Sequence, residues 1–287
     1  MVQYLLDTGA EIHARAYPNG HTPLHSACLW KHEEIAKLLI DAGASMEMFG
    51  LNPVCSWTPV HLAAHCDLLS ILKYMRSRGA NWNLLNERKA PPLQYAAHQG
   101  HIAVVQYLLS EEIAEIGYKD GSGYTALQYA TSNNRIDVVK LLITRGPDLG
   151  TSNGPWSQLH VAASVGLVEV GRIFLNEGVD VESRQFQGAT ALHLAAENGH
   201  VGFLQLLLKR GADTKAVMKT AETALLMATL TGQVEAISLL LDSRADVDPA
   251  TNPELSSFRA AVAIGHAPII KLLISRGSNV KALNPAS

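Results

Sequence analysis

The chain has 287 residues, of which 47% are hydrophobic and 17% charged, with a formal net charge of −3. That balance suits a core-forming protein, and without a long Lys/Arg run it offers no electrostatic footprint for nucleic acid or an anionic membrane, so neither is expected as a partner. No stretch is apolar for long enough to span a bilayer, and Cys28, Cys55 and Cys66 are read as reduced thiols in a chain too long to need disulfide staples, so an intracellular location, cytoplasmic or nuclear, is expected.

The first recognisable segment, Tyr4-Leu5-Leu6-Asp7-Thr8-Gly9-Ala10, reads as the end of a helix and its glycine stop. A tetrad then starts at Thr22 and recurs at Thr58, Pro91, Thr125, Ser157, Thr190, Thr223 and Ser256, with successive starts 32 to 36 residues apart. So regular a period marks a repeat architecture. Thr22, Thr58, Thr125, Thr190 and Thr223 supply the hydroxyl of a helix N-cap, and Pro23 and Pro59 follow at the first helical position, where no amide donor is missed. A short first helix is predicted at each start. Paired small residues, Ala63-Ala64, Ala96-Ala97, Ala162-Ala163 and Ala195-Ala196, let neighbouring helices approach closely. After a turn at Gly100, Gly166, Gly199, Gly232 or Gly265, apolar residues return at helical spacing, as in Val104, Val105, Leu108 and Leu109, and predict a second helix. Gly43, Gly79, Gly146, Gly178, Gly211 and Gly277 sit where a left-handed residue would end it. A finger of about ten residues leads into the next tetrad.

The pattern resembles the ankyrin repeat family, through Thr22-Pro23-Leu24-His25, Thr58-Pro59-Val60-His61 and Thr190-Ala191-Leu192-His193-Leu194-Ala195-Ala196 with Gly199-His200 and Gly211-Ala212-Asp213. The resemblance implies an all-α fold, an ankyrin-repeat solenoid of stacked helix-turn-helix units with extended β-hairpin-like fingers. It is read as a single array over 1–287, with a partial repeat at 1–16 and full repeats at approximately 17–52, 53–85, 86–119, 120–151, 152–184, 185–217, 218–250 and 251–287. Each unit is too small to bury its own apolar face, so stability is expected from repeat terms plus nearest-neighbour interfaces. The first unit lacks its first helix and no polar capping helix follows the last, so the sequence is expected to be a segment of a longer parent or the product of an incompletely defined gene.

Three irregularities interrupt the period. The longest spacing places extra residues in the finger Phe49-Gly50-Leu51-Asn52-Pro53, whose tip either contacts a ligand or folds back on its own stack. Glu112 stands where a helix-ending glycine would fall, beside Glu111 and Glu115, so that second helix is expected to run on towards Gly117, its acidic cluster a solvated face. Arg244 replaces the same glycine in the seventh repeat and Arg259 the tetrad histidine in the eighth, which predicts two looser units.

Chemical motifs are sparse. Cys55, His61, His65 and Cys66 are zinc-ligand types, but His61, like His25, His160 and His193, is a tetrad histidine expected to hydrogen-bond the neighbouring finger backbone, and Cys66 points away from His65 on a helix. His32, His101, His200 and His266 share the position after the inter-helix turn. Neither a Gly-x-Ser-x-Gly elbow nor a P-loop ending is found. No catalytic, cofactor-binding or metal-binding residues are assigned, no cofactor is expected, and the chain is read as a non-enzyme.

In this family the ligand surface is usually the concave groove of fingers and first helices. The residue before the tetrad reads His21, Trp57, Ala90, Tyr124, Trp156, Ala189, Glu222 and Leu255. Trp57, Tyr124 and Trp156 are the expected anchors, because Trp and Tyr are enriched in interface hot spots. Finger residues Trp82, Tyr118 and Phe186, and first-helix residues Trp30, His65, His98, Gln99, Ser132 and Asn133, are expected to face the same groove. The function that follows is a protein–protein interaction scaffold or recognition module, a monomer that binds another protein. The alternative is the recognition segment of a larger enzyme, receptor or ubiquitin-ligase adaptor whose effector domain lies outside this chain.

Overall fold

Thr58 illustrates why the first helices begin where they do. In the computed structural model its Oγ1 accepts the amide of His61 at 3.5 Å, while its own amide donates to His61 Nδ1 at 3.3 Å. The cap thus closes in both directions and satisfies two donors that a helix start leaves open. Thr125 and Gln128 repeat the arrangement, at 3.4 and 2.9 Å. The structure describes residues 4, 8–51, 56–111, 113–146, 157–247 and 256–278. Trp156, Cys55 and Glu112 lie outside them.

Two compact units are formed, Met1–Pro147 and Asp148–Ser287. The first contains α1 (Pro23–Leu29) and α2 (Glu33–Asp41), α3 (Pro59–His65) and α4 (Leu69–Ser77), α5 (Pro92–Gln99) and α6 (Ile102–Ser110), and α7 (Ala126–Ser132) and α8 (Ile136–Thr144). The second contains α9 (Gln158–Val165) and α10 (Val168–Asn176), α11 (Ala191–Glu197) and α12 (Val201–Lys209), α13 (Ala224–Leu230) and α14 (Val234–Asp242), and α15 (Ser257–Ala263) and α16 (Ala267–Ser275). Within each unit first helices pack on first helices and second on second: α1, α3, α5 and α7 in one row and α2, α4, α6 and α8 in the other, with the same order from α9 to α16.

Small residues permit this stacking. Ala63, Ala64, Ala96, Ala97, Ala162, Ala163, Ala195 and Ala196 are all fully buried, beside leucines such as Leu93, Leu159 and Leu192. Gly171 in α10 serves the same end, since a Cβ there would come within 2.5 Å of the Phe203 ring of α12.

The turn between paired helices takes a left-handed residue at Gly100, Gly166, Gly199, Gly232 and Gly265. Where no glycine is available Lys31, Asp67 and Asn134 adopt it, with φ of 59°, 64° and 55°. The α6 helix does not run on towards Gly117. It ends at Ser110, because the amides of Ile113 and Ala114 both turn back to the Leu108 carbonyl at 3.2 Å, and Glu111 is engaged by Arg76 at 3.4 Å.

The fingers are hairpin-like turns without a ladder. In the tip 86–90 the Asn86 amide donates to Ala90 O and the Lys89 amide to Asn86 O, and tips 120–124, 185–189 and 218–222 close the same way. Neighbouring tips are tied by single backbone bonds, Gly121 N–H to Arg88 O at 2.7 Å and Lys219 N–H to Gln187 O at 3.0 Å. Arginines reinforce them: Arg15 donates to Gly20 O and Phe49 O, and Arg184 to Gly188 O and Val217 O. In the long finger, Leu51 lies over Gly20, where a Cβ would fall 2.4 Å from it. Of the described part of this finger, Leu51 thus folds back on the preceding one.

Candidate recognition surface

The tetrad histidines set the positions of the residues that precede the next tetrad. His25 Nδ1 meets the Thr22 amide at 3.2 Å, which makes that nitrogen the acceptor and leaves Nε2–H to donate to Trp57 O at 3.0 Å. His61, His160 and His193 reach Ala90 O, Ala189 O and Glu222 O in the same way, at 3.1, 3.0 and 3.2 Å. Burial lowers all four pKa values, to about 4 for His25, His61 and His193. These imidazoles are therefore neutral staples, and His61 has both nitrogens occupied. Among the described residues no three His, Cys, Asp or Glu side chains gather as a metal-holding set.

Held by His25, the Trp57 backbone projects a half-buried indole against two rings of unit one: His65 at 4.8 Å between centroids and Tyr95 at 4.5 Å. Gln99 Nε2 lies 3.3 Å from the His65 ring, and His101 Nε2 donates to His65 O at 2.7 Å. Further along the same unit His98 and Tyr124 each stand 6.0 Å from Tyr129. The two tyrosines are anchored by finger tips. Tyr95 Oη accepts Asn86 Nδ2 at 2.5 Å, and Asn86 Oδ1 takes the amides of Arg88 and Ala90 at 3.0 Å. Tyr129 Oη donates to Asp120 Oδ2 at 2.6 Å, and Asp120 Oδ1 takes the amides of Ser122 and Tyr124 at 2.9 Å. This bond to Asp120 and burial raise the Tyr129 pKa, burial being the larger cause.

Electrostatically this surface is quiet. Burial first, then neighbouring cationic groups, lowers the pKa of His65 and of His98, and Asp120 is buried and engaged. The surface offers ring faces, neutral imidazoles and the Gln99 amide, suited to hydrogen bonding and apolar contact.

The remaining candidates are distributed elsewhere. Trp30, 70% exposed, lines an apolar hollow of about 300 Å³ with Ile12, Pro23, Ile35 and Leu39. Trp82 and Tyr118 line a separate hollow in unit one. In unit two Phe186 is 79% exposed and carries Lys219 Nζ over its ring at 4.9 Å. Ser132 is exposed and Asn133 half-buried, their side chains bonded to each other at 3.2 Å and to Tyr129 O.

Tyr95, Tyr129, Asn86 and Asp120 were not among the residues the sequence pointed to. Their signal is the recurrence Leu93-Gln94-Tyr95-Ala96 and Leu127-Gln128-Tyr129-Ala130, in which Gln takes the place of the tetrad histidine and Tyr follows it.

Comparison with known proteins agrees with the repeating fold. The family model for ankyrin repeats (3 copies) matches residues 1–86, 60–153 and 150–218. The nuclear factor NF-kappa-B p105 subunit of Gallus gallus is 29% identical over 197 residues, 66% of this chain and 20% of that protein. The ankyrin repeat and KH domain-containing protein mask-1 of Caenorhabditis elegans is 31% identical over 214 residues, 63% of this chain and 8% of that one. The human transient receptor potential cation channel subfamily A member 1 is 30% identical over 123 residues, 42% of this chain and 11% of that one. The chain thus spans a fifth or less of the length of these curated relatives. Among solved structures, the human ASB11 ankyrin repeat domain aligns with a TM-score of 0.71 and 26% identity, covering 78% of this chain and 99% of that one. On the recurring tetrads, the paired helices and these matches, the chain belongs to the ankyrin repeat family.

Proposed function

We propose that this chain is a protein-recognition module without catalysis of its own, and that the surface built from Trp57, His65, Tyr95, His98, Gln99, Tyr124 and Tyr129 is its principal contact. The observation that carries the reading is that Trp57 and Tyr124, at a position that carries Ala90, Ala189 or Glu222 in other repeats, are each held in place by a hydrogen-bonded finger or tetrad and remain partly accessible. Rigid aromatic groups with fixed backbones bind at low entropic cost and dominate interface energetics. Two covered polar atoms, Trp57 Nε1 and His98 Nδ1, have no hydrogen-bond partner among the described residues. Side-chain adjustment on binding would relieve that cost.

Trp156, at the equivalent place before its tetrad, belongs to the same proposal, as do Trp30, Trp82, Tyr118 and Phe186 as further contacts. The array is taken to run through 1–287 as eight full repeats after a partial one, and to act as a monomer inside the cell. A second reading is supported by the length of the relatives: the chain serves as the recognition segment of a larger enzyme, receptor or ubiquitin-ligase adaptor. Among the described residues no helix is long and apolar enough to cross a membrane.

The test is affinity capture with mass spectrometry, comparing wild type with the Trp57→Ala/Tyr124→Ala variant. Proteins recovered by the wild type and lost from a folded variant support the reading; an unchanged set contradicts it.

A further inference from the structure

Trp82, at the start of one finger, and Tyr118, in the finger that follows, line one hollow of about 260 Å³. Pro92, Leu93 and Leu108 also line it, and Glu115 is its carboxylate. Both aromatic residues are half-buried, and among the described residues of this unit no ring contact includes either. Glu115 is exposed, and none of the ion pairs among the described residues engages it. Arg145 shares an adjoining hollow with Glu115 and forms no bridge to it.

Size and chemistry select the occupant. Drug-sized pockets start at roughly 300 Å³, so this one suits a single long side chain. Ring faces attract cations, arginine most often, through the quadrupole of the aromatic system. A carboxylate beside them pairs with a guanidinium in a fork that a point charge does not match. A neutral apolar side chain would gain the floor but would leave Glu115 partly desolvated and unpaired.

We propose that the Trp82–Tyr118 hollow receives one arginine side chain of a partner protein, stacked against the two rings and paired with Glu115. The proposal rests on the protein-recognition reading above and adds a chemical class of ligand at a place distinct from the Trp57 surface.

Acetyl-arginine amide, acetyl-lysine amide and the neutral isostere acetyl-citrulline amide are titrated into the full chain, with the four tryptophan indole N–H signals followed by NMR and that of Trp82 assigned through Trp82→Phe. The arginine probe is expected to shift the Trp82 signal saturably in the millimolar range, tighter than lysine, with citrulline giving little response. Glu115→Gln, at an exposed position that leaves the fold intact, should weaken the arginine probe about fivefold. An equal response to citrulline, no response from Trp82, or indifference to Glu115→Gln overturns the assignment, and tighter lysine binding overturns the choice of arginine. Failure of the probe while Trp57 and Tyr124 still govern partner capture rejects the hollow alone. Probe binding by a chain that captures no protein leaves the arginine receptor standing and rejects the recognition reading.

Discussion

The ring of Trp57 lies 4.5 Å from that of Tyr95 in the following repeat, while the Trp57 carbonyl accepts His25 Nε2–H at 3.0 Å from the preceding one. A single residue is therefore fixed by both neighbours, its backbone by a buried imidazole and its side chain by a tyrosine that a finger tip orients. The stack uses the carbonyl, and the indole stays half-buried against Tyr95 and His65.

The Tyr129–Asp120 bond predicts a graded loss of stability. Asp120→Ala removes a buried acceptor from one hydroxyl and two amides, and should cost about 2 to 3 kcal/mol in denaturant unfolding. Asp120→Asn keeps an oxygen for the two amides, as Asn86 does in the preceding repeat, and should cost less than half as much. Equal effects of the two changes would show that the carboxylate does not anchor this finger.

Buried histidines predict acid sensitivity with a definite sign. His25, His61 and His193 have pKa values lowered by burial from 6.5 to about 4, so the unfolded chain takes up protons at higher pH than the folded one. Their contribution is fully present above about pH 6.5 and is lost as the pH falls from there towards 4. Each histidine adds up to about 1.4 kcal/mol per pH unit to the slope within that window. Urea unfolding at several pH values measures it. His193→Leu, which copies Leu226 at the same tetrad position of the next repeat, should make the slope shallower; an unchanged slope would assign the acid sensitivity to other groups.

Pro91 occupies an N-cap with neither an amide hydrogen nor a hydroxyl, and the fully covered Oε1 of Gln94 has no partner among the described residues. At the equivalent cap the Thr125 amide donates to Gln128 Oε1 at 2.9 Å. Pro91→Thr should therefore raise stability by about 1 to 2 kcal/mol, from the cap and the newly paired Oε1. A lower melting temperature would mean that the fixed φ of proline outweighs both.

Arg244 holds a left-handed φ of 66° at the end of α14, where Gly43, Gly79, Gly146, Gly178, Gly211 and Gly277 stand in other repeats. Arg244→Gly should stabilise the protein by about 1 kcal/mol, because an L side chain is strained there. Thermal unfolding of the variant checks this.

The repeating fold was legible because its requirements are local. Thr58 caps, Ala63-Ala64 spaces and Gly79 stops within one unit, so each leaves its mark at a fixed period. Arg244 was legible as a departure from that period. Lys31, Asp67 and Asn134 were not, since their left-handed turns carry no glycine to announce them. The recognition surface was only half readable. Trp57 and Tyr124 stand out as aromatics at a free position, whereas Tyr95 and Tyr129 look like ordinary first-helix residues until Asn86 and Asp120, nine residues earlier, are seen to hold their hydroxyls. Trp82 and Tyr118 belong to different fingers, and no helical spacing relates them. The expected extension of α6 does not form because a helix can stop without a glycine: the Leu108 carbonyl closes this one by accepting the amides of Ile113 and Ala114.

The central claim is that Trp57 and Tyr124 are contact residues and not supports of the stack. Its most direct test is calorimetric titration of a captured partner into wild type and into the Trp57→Ala/Tyr124→Ala variant, with melting temperatures recorded for both. The expected result is at least about a thirtyfold loss of affinity, the scale of a hot-spot truncation of about 2 kcal/mol, with a melting temperature close to that of the wild type. Unchanged affinity in a folded variant would contradict it.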